Sequence, residues 1–306
     1  MKDFLLKLVI LFSICVCILC LIQVFKISNE YKQSEEEYES LVDDYISYIV
    51  EDTDNLTDYS NNIDEIEEID IEVNEIKDID EIVENNSINE IEEKNEIKET
   101  VKSNTPKEIM DIYESSKLDI NVDFKSLKKK NPDIVGWIYC KGTPINYPVV
   151  QATNNSYYLK HTFYGNYNAS GTIFMEAENK SDMSDKNTIL YGHHMRNGSM
   201  FASIEKYRYW WYYRDHPIMY YLTEDNKYRI DIITYYETGG YSDIYTIGFS
   251  TDEKYDEYLK SIRKKSVLDT TWLPISVEDK IITLSTCSYS FNNARYIVQG
   301  KITCIE

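Results

Sequence analysis

The stretch TLSTCSYSFNNARYIV, residues 283–298, contains two apolar, β-branched segments separated by a polar loop. Segments of this composition are typical of strands, and the loop is typical of a reversal of the chain. If the strands pair antiparallel about Phe291, Cys287 and Arg295 lie opposite each other, with Cβ atoms about 4.5–5.5 Å apart. The spacing therefore predicts a thiol and a guanidinium over one pocket.

The region around this stretch is rich in strand-forming segments. Eight of them, from VGWIYCKG at 135 to ARYIVQGKITCIE at 294, are separated by Gly, Asn, Asp and Pro. Eight short strands of this kind are typical of a barrel or sandwich. Two helices are predicted among them, at 199–214 and at 252–265, and the second has apolar residues at helical spacing.

Two short amphipathic helices are predicted before the strands, at 106–118 and 122–131, with Asp123 as an N-cap. The fold class that follows is mainly β: an eight-stranded β-barrel with two N-terminal helices and a long helix before the cysteine-bearing strand.

The charge of the 306-residue chain is −21, but the acidity belongs to one segment. Residues 31–100 contain 26 Asp and Glu against four Lys, whereas residues 101–306 contain 25 residues of each sign. The global charge argues against nucleic acid as a partner.

The acidic segment repeats DEI and NEI and has almost no Gly or Pro, which predicts a disordered or partly helical stalk. A dimeric coiled coil is the alternative.

An uncharged apolar run covers residues 8–25, which is long enough for a helix to cross a bilayer. Lys2 and Lys7 precede it, and this pattern predicts a cytoplasmic N-terminus with everything after Lys26 exported. A cleaved signal peptide is the competing interpretation, but no small-x-small cleavage site follows the run.

A lipoprotein site at Cys20 is a further alternative, although Ile18 and Leu19 precede it where a small residue is expected. We therefore expect an uncleaved, single-pass anchor in the cell membrane. The predicted parts are a cytoplasmic N-terminus and anchor (1–26, with membrane contact through 4–25), a stalk (27–105) and an extracellular folded domain (106–306).

Only three cysteines lie outside the apolar run: Cys140, Cys287 and Cys304. An odd number without close spacing is a poor disulfide framework and offers no C-x-x-C pair for zinc, so neither a metal nor a cofactor is predicted. A cysteine that acts as a nucleophile needs a base or a cation nearby, which Arg295 would supply. The alternative is that Cys287 packs as a small hydrophobic residue.

The chain offers four histidines as a base. His161 and His216 lie in polar surroundings and are predicted at the surface, whereas His193 and His194 follow Gly192 at the end of a strand-like run. Adjacent strand residues point to opposite faces, so only one of the pair can face the pocket, and composition does not say which.

The motif TLSTC followed by Arg295, together with NTILYGHHMRNGSMF at 187–201 and NSYYLKHTFYGNYNASGTIFMEAEN at 155–179, closely resembles the sortases. These are membrane-anchored cysteine transpeptidases of Gram-positive bacteria, and the resemblance covers 106–306 and is strongest to class B. It implies Cys287 as nucleophile, His193 as the histidine after glycine, and Arg295 as the arginine. Ser285 is a possible helper, and no residue is assigned to orient the histidine.

The activity that the resemblance implies is acyl transfer. A C-terminal sorting motif of a secreted protein is cleaved after Thr through a thioester, and the product is transferred to an amine of the peptidoglycan cross-bridge or its lipid-linked precursor. Two alternatives belong to other classes: another exported cysteine peptidase or an L,D-transpeptidase, and a non-catalytic wall-binding module. The L,D-transpeptidase pattern has Gly directly before the cysteine, where this chain has Thr286.

Overall fold

The structure, a computed structural model, describes residues 2–49 and 106–306. The predicted stalk is described only over its first part, residues 27–49. Its DEI and NEI repeats, and with them the coiled-coil alternative, lie outside the described residues.

Five α-helices are present in the described chain: α1 (Lys2–Tyr45), α2 (Pro106–Ser115), α3 (Phe124–Lys130), α4 (Trp210–Asp215) and α5 (Asp252–Lys265). Two 3-10 helices cover Ala202–Arg208 and Asp243–Tyr245. The strands are β1 (Ile46–Tyr48), β2 (Ile120–Val122), β3 (Ile134–Tyr139), β4 (Asn146–Val150), β5 (Ile173–Met175), β6 (Asn187–Tyr191), β7 (Ile218–Leu222), β8 (Lys227–Gly239), β9 (Lys280–Cys287) and β10 (Ala294–Cys304).

Strands β3 to β10 close a barrel in the order β10-β8-β7-β3-β4-β5-β6-β9. The predicted eight-stranded barrel is confirmed, and all eight predicted segments supply its strands. The long helix before the cysteine-bearing strand is α5, and the two predicted N-terminal helices are α2 and α3. The Asp123 carboxylate caps α3 by accepting a hydrogen bond from the Ser126 amide at 3.0 Å.

One predicted helix is divided in the structure. Residues 199–214 form the 3-10 helix and α4, with extended backbone at Tyr209 between them. Tyr207 and Tyr212 are both buried but lie five positions apart, so one continuous helix would place them on different faces. Two short helical segments bury them separately.

The core has two parts because β8, β9 and β10 are covered on both sides. The larger cluster joins barrel residues to buried residues of α1, α2 and α3, and the second lies between these strands and α5. The predicted apolar face of α5 packs there through Tyr255, Tyr258, Leu259 and Ile262. Burial on both sides explains why six consecutive residues of β9 are buried rather than alternate ones.

A buried glutamine fixes the register of these three strands. The Gln299 amide donates to Thr283 at 2.9 Å and to Tyr258 at 3.0 Å, while its oxygen accepts from Thr234 and Tyr236. All four hydrogen-bonding positions of this amide are thus satisfied in the core. A one-residue slip would leave buried polar groups unpaired, so the network holds β9 and β10 in their observed register.

Helix α1 runs without interruption from the apolar segment onto the barrel. It is long and apolar enough to cross a membrane, and its side chains from 10 to 29 are exposed. Beyond them, Tyr38 and Leu41 are buried against the barrel, and β1 pairs antiparallel with β2. The first part of the predicted stalk is therefore a docked helix and strand, while the span and its topology stay a prediction.

Docking of α1 is expected to contribute to stability, and Leu41→Ala tests it. Leu41 is fully buried, so truncation should lower the free energy of unfolding by about 2–4 kcal/mol. Chemical denaturation of the full chain in detergent measures this, with the exposed neighbour Ser40→Ala as control. Equal stability of the two variants would show that α1 does not pack on the barrel.

Candidate active site

Cys287 and Arg295 are direct partners in the β9–β10 register. The predicted opposition of Cys287 and Arg295 across the strand pair is therefore confirmed. Both residues are half-buried, so the thiol is accessible and partly shielded from water. The guanidinium also donates to the Ala294 carbonyl at 2.9 Å, which restrains it near the strand.

The loop between the two strands makes this register possible. Asn293 adopts a left-handed backbone with φ 60°, a region that asparagine tolerates better than most residues. Its carbonyl accepts from the Gly240 amide at 2.9 Å, and the Ser288 amide donates to the Ala294 carbonyl at 2.9 Å. The turn thus brings Arg295 back opposite Cys287.

His193 reaches the same end of the barrel through the parallel pairing of β6 with β9. Tyr191 pairs with Ser285, and the Gly192 amide donates to the Ser285 carbonyl at 3.2 Å. His193 and Cys287 each lie two residues beyond this pair along parallel strands. The histidine and the cysteine are therefore level at adjacent strand ends.

Gly192 is required by the packing beneath the histidine. A Cβ atom there would meet the Phe201 ring at 2.8 Å and would also clash with Ile173. Phe201 is fully buried and its amide donates to the His193 carbonyl at 3.0 Å. The glycine thus allows Phe201 to support the backbone of His193.

A backbone carbonyl orients the His193 ring. Nε2 lies 2.7 Å from the carbonyl oxygen of Leu159, in the loop between β4 and β5. Because a carbonyl only accepts, Nε2 carries the hydrogen, which leaves Nδ1 for proton transfer. Sequence reasoning assigned no orienting group, and none could be recognised, since a carbonyl is independent of residue type.

His194 belongs to a separate polar network. Its Nε2 lies 2.8 Å from a Glu205 carboxylate oxygen, and the other oxygen of Glu205 lies 2.6 Å from Arg208. Arg208 donates to the Tyr296 hydroxyl at 2.7 Å. The two adjacent histidines therefore have different partners. His193 contacts the Leu159 carbonyl, whereas His194 contacts Glu205, which also pairs with Arg208.

Two tyrosines line the site from outside the cysteine strand. Tyr245, in the 3-10 helix after β8, shares a 2.9 Å hydrogen bond with Ser285, and its ring stacks with Tyr191 at 6.0 Å. Burial raises the pKa of Tyr245, whereas the nearby charge of Arg295 opposes this rise. Ser285 is buried and bonded to a phenol, so its hydroxyl orients Tyr245.

The other cysteines differ from Cys287 in their environment. Cys140 is completely buried, and burial raises the pKa of its thiol to about 11, which keeps it protonated and unreactive. Cys304 is exposed near the C-terminus, as the last residue of β10. All six cysteines are free thiols.

The remaining histidines are half-buried rather than fully at the surface. The His161 ring stacks on Tyr157 with centroids 4.1 Å apart. His216 bonds the Lys141 carbonyl at 3.1 Å, and burial lowers its pKa. Neither ring belongs to the group formed by Cys287 and its neighbours.

A cavity of about 1040 Å³ lies between α1 and the segment 194–206, and Cys287, His193 and Arg295 are not among its lining residues. Its lining includes Tyr38 from α1, His194, and Tyr289 from the loop after Cys287. The rings of His194 and Tyr289 are in edge contact at 5.8 Å. The docked helix therefore forms one wall of a large space, whose other lining residues include His194 and Tyr289.

The arrangement combines an accessible thiol, an opposed cation and an oriented imidazole. These are a nucleophile, a stabiliser for a negatively charged oxygen and a proton-transfer group, which together suit acyl transfer through a covalent intermediate. Among the described residues, no group of three or more His, Cys, Asp and Glu side chains is placed to hold a metal ion.

Comparison with known proteins identifies relatives of the barrel. The sortase domain family model matches residues 138–303. Sortase B of Listeria monocytogenes is 36% identical over 188 residues, which cover 60% of this chain and 75% of the relative.

Solved structures give the same result. The Staphylococcus aureus sortase B–substrate complex has a TM-score of 0.57 and 35% identity, covering 60% of this chain and 85% of that one. A sortase B complexed with triglycine has a TM-score of 0.57 and 36% identity, covering 60% and 86%. These similarities favour a transpeptidase over the binding-module and other cysteine-peptidase alternatives.

Proposed function

This chain belongs to the sortase family of cysteine transpeptidases and is most similar to class B, and we propose that Cys287, His193 and Arg295 are its catalytic residues. The donor is a secreted protein with a C-terminal sorting motif, cleaved after Thr. The acceptor is an amine of the peptidoglycan cross-bridge or of its lipid-linked precursor. The observation that carries the proposal is the direct opposition of Cys287 and Arg295.

In the first step, the Cys287 thiolate attacks the carbonyl carbon of the threonine. A C–S bond forms and the C–N bond breaks, while His193 donates a proton to the leaving amine. Arg295 stabilises the negative charge that develops on the carbonyl oxygen. The product is a thioester between the donor protein and Cys287.

In the second step, the acceptor amine attacks the thioester. His193 removes a proton from the amine, a C–N bond forms, and the C–S bond breaks to return the Cys287 thiolate. Both half-reactions use one histidine in opposite protonation states. The relatives' structures include a substrate complex and a triglycine complex, which support a peptide donor and an amine acceptor for this chain.

Location in the membrane fits this chemistry. We propose that α1 anchors the chain with its N-terminus in the cytoplasm and the barrel outside, because two lysines precede the apolar run. Donors and a lipid-linked acceptor would then meet the enzyme at the outer membrane face.

Arg295→Lys is expected to lower kcat/KM for a sorting peptide by about 10²–10³-fold, the loss typical of removing one oxyanion donor. Lysine keeps the charge but lacks the rigid fork of donors. Peptide cleavage measures the effect, with Arg214→Lys, beside Asp215 near the end of α4, as a control outside the site. A change of less than threefold in Arg295→Lys would exclude a role in catalysis.

The proposed function is tested by mass spectrometry of the intact and the digested full chain, incubated in detergent with a panel of sorting-motif peptides. An acyl adduct on the Cys287-containing fragment that hydroxylamine releases would support a thioester and identify the motif. Added amines should then shorten the lifetime of the adduct. If no peptide forms an adduct or is cleaved, the proposed donor class is wrong.

A further inference from the structure

The loop between β4 and β5 contains an exposed aromatic group that the chemistry above does not use. Residues 157–168, here called the tyrosine loop, expose Tyr157 (42%), Tyr164 (40%) and Tyr167 (68%). The His161 ring joins two of them, stacked on Tyr157 at 4.1 Å and in edge contact with Tyr167 at 5.9 Å. Single exposed aromatic residues are common on protein surfaces, but an ordered group of them indicates a contact surface.

The tyrosine loop lies along α1 in a defined direction. The Tyr164 amide donates to Glu37 at 3.2 Å, and just after the loop the Gly171 carbonyl accepts from the Tyr38 hydroxyl at 2.5 Å. Nearest the apolar run, the side-chain amide of Asn168 donates to the Glu30 carbonyl at 2.8 Å. The end of the loop that carries Tyr167 is therefore the end closest to the apolar part of α1.

The distance along α1 brings this end to the membrane surface. Glu30 lies five residues after Phe25, the last residue of the apolar run, which is about 7.5 Å along the helix axis. A bilayer has a hydrocarbon core of about 30 Å within a total of about 40–45 Å, so each headgroup layer is about 5–8 Å thick. With the apolar run spanning the hydrocarbon core, as proposed above, Asn168 and the adjacent Tyr167 would lie at the level of the lipid headgroups.

We propose that the tyrosine loop contacts the lipid interface, with Tyr157 and Tyr167 among the headgroups beside the point where α1 leaves the bilayer. Tyrosine is suited to this position because its ring is apolar and its hydroxyl is polar. The proposal rests on the membrane anchoring given under the proposed function. It commits to the surface of the chain's own membrane as the partner.

This contact lies next to the candidate active site. The Leu159 carbonyl that accepts the hydrogen bond of His193 belongs to the same loop. A loop fixed at the lipid interface would hold the catalytic histidine, and hence the thioester, close to the outer membrane face. Donors and acceptors attached to the membrane would then reach the site without leaving the lipid surface.

Tryptophan quenching in vesicles tests the proposal with three variants of the full chain. The vesicles are phosphatidylcholine brominated near the headgroup end of its acyl chains. Phe25→Trp reports insertion of the anchor, Tyr167→Trp reports the loop, and Tyr48→Trp is the matched control. Tyr48 is similarly exposed, at 60%, but follows the end of α1, which lies about 22 Å beyond Glu30 along the helix.

The emission added by each new tryptophan is measured against the unchanged chain, whose four tryptophans are the same in every sample. We expect bromolipid to quench most of the added tryptophan emission in Phe25→Trp and in Tyr167→Trp. The added emission in Tyr48→Trp should be unchanged. Quenching at 25 without quenching at 167, or equal quenching at 48 and 167, would overturn the loop's membrane contact.

Absence of quenching at 25 would overturn the anchor and the membrane contact together. The transpeptidase chemistry is judged separately, because cleavage of a soluble sorting peptide by Tyr167→Trp in detergent needs no membrane. If neither tryptophan is quenched but the peptide is still cleaved, the membrane contact is wrong and the catalytic proposal still stands.

Discussion

Cys287→Ala is expected to lower kcat/KM for sorting-peptide cleavage by at least about 10⁴-fold, because a covalent mechanism has no substitute for its nucleophile. The methyl group of alanine fits the space of the thiol, so the loss should not arise from unfolding. The measurement is peptide cleavage together with the acyl adduct seen by intact mass, and both signals should disappear.

The control for this variant is Cys304→Ala, which removes an exposed thiol at the last residue of β10. We expect unchanged cleavage, since Cys304 lies outside the candidate active site. Comparable losses in the two variants, or substantial cleavage by Cys287→Ala, would contradict the assignment of the nucleophile.

His193→Gln is expected to lower cleavage by about 10²–10⁴-fold, the contribution typical of a positioned acid–base group. A glutamine amide can still donate to the Leu159 carbonyl, so the variant tests proton transfer with that hydrogen bond retained. Steady-state cleavage and single-turnover adduct formation together show whether thioester formation or its resolution is slowed.

The adjacent His194→Gln is a matched control. Its amide can still donate to Glu205, so the variant retains the hydrogen bond that His194 makes. We therefore expect less than about tenfold loss. If His194→Gln were impaired as strongly as His193→Gln, the acid–base role could not be assigned to His193.

The barrel was predictable because its signals are local. Each strand is a short β-branched or aromatic segment bounded by turn-forming residues, and α5 repeats apolar residues at helical spacing. The helix predicted at 199–214 was only partly right, because its buried tyrosines break the helical period between Tyr207 and Tyr212. The local sequence pattern thus predicted where helices and strands occur. It gave a wrong helix only at 199–214, where the buried residues do not follow the helical period.

The site divides in the same way. The opposition of Cys287 and Arg295 follows from one hairpin, so a spacing of eight residues was enough to predict it. The choice between His193 and His194 required the resemblance, because both follow the same strand and composition does not distinguish them. In the structure they differ by their partners, Leu159 and Glu205.

The sequence by itself determined the strands, the antiparallel pair that opposes thiol and guanidinium, and the apolar run that marks α1, since each depends on neighbouring residues. Only the tertiary structure decided what meets across long separations: β6 beside β9, the Leu159 carbonyl at His193, and α1 against the barrel through Tyr38 and Leu41. The reason is physical. A parallel pairing or a backbone acceptor carries no side-chain pattern, and the packing partner of a buried residue is fixed by the folded chain.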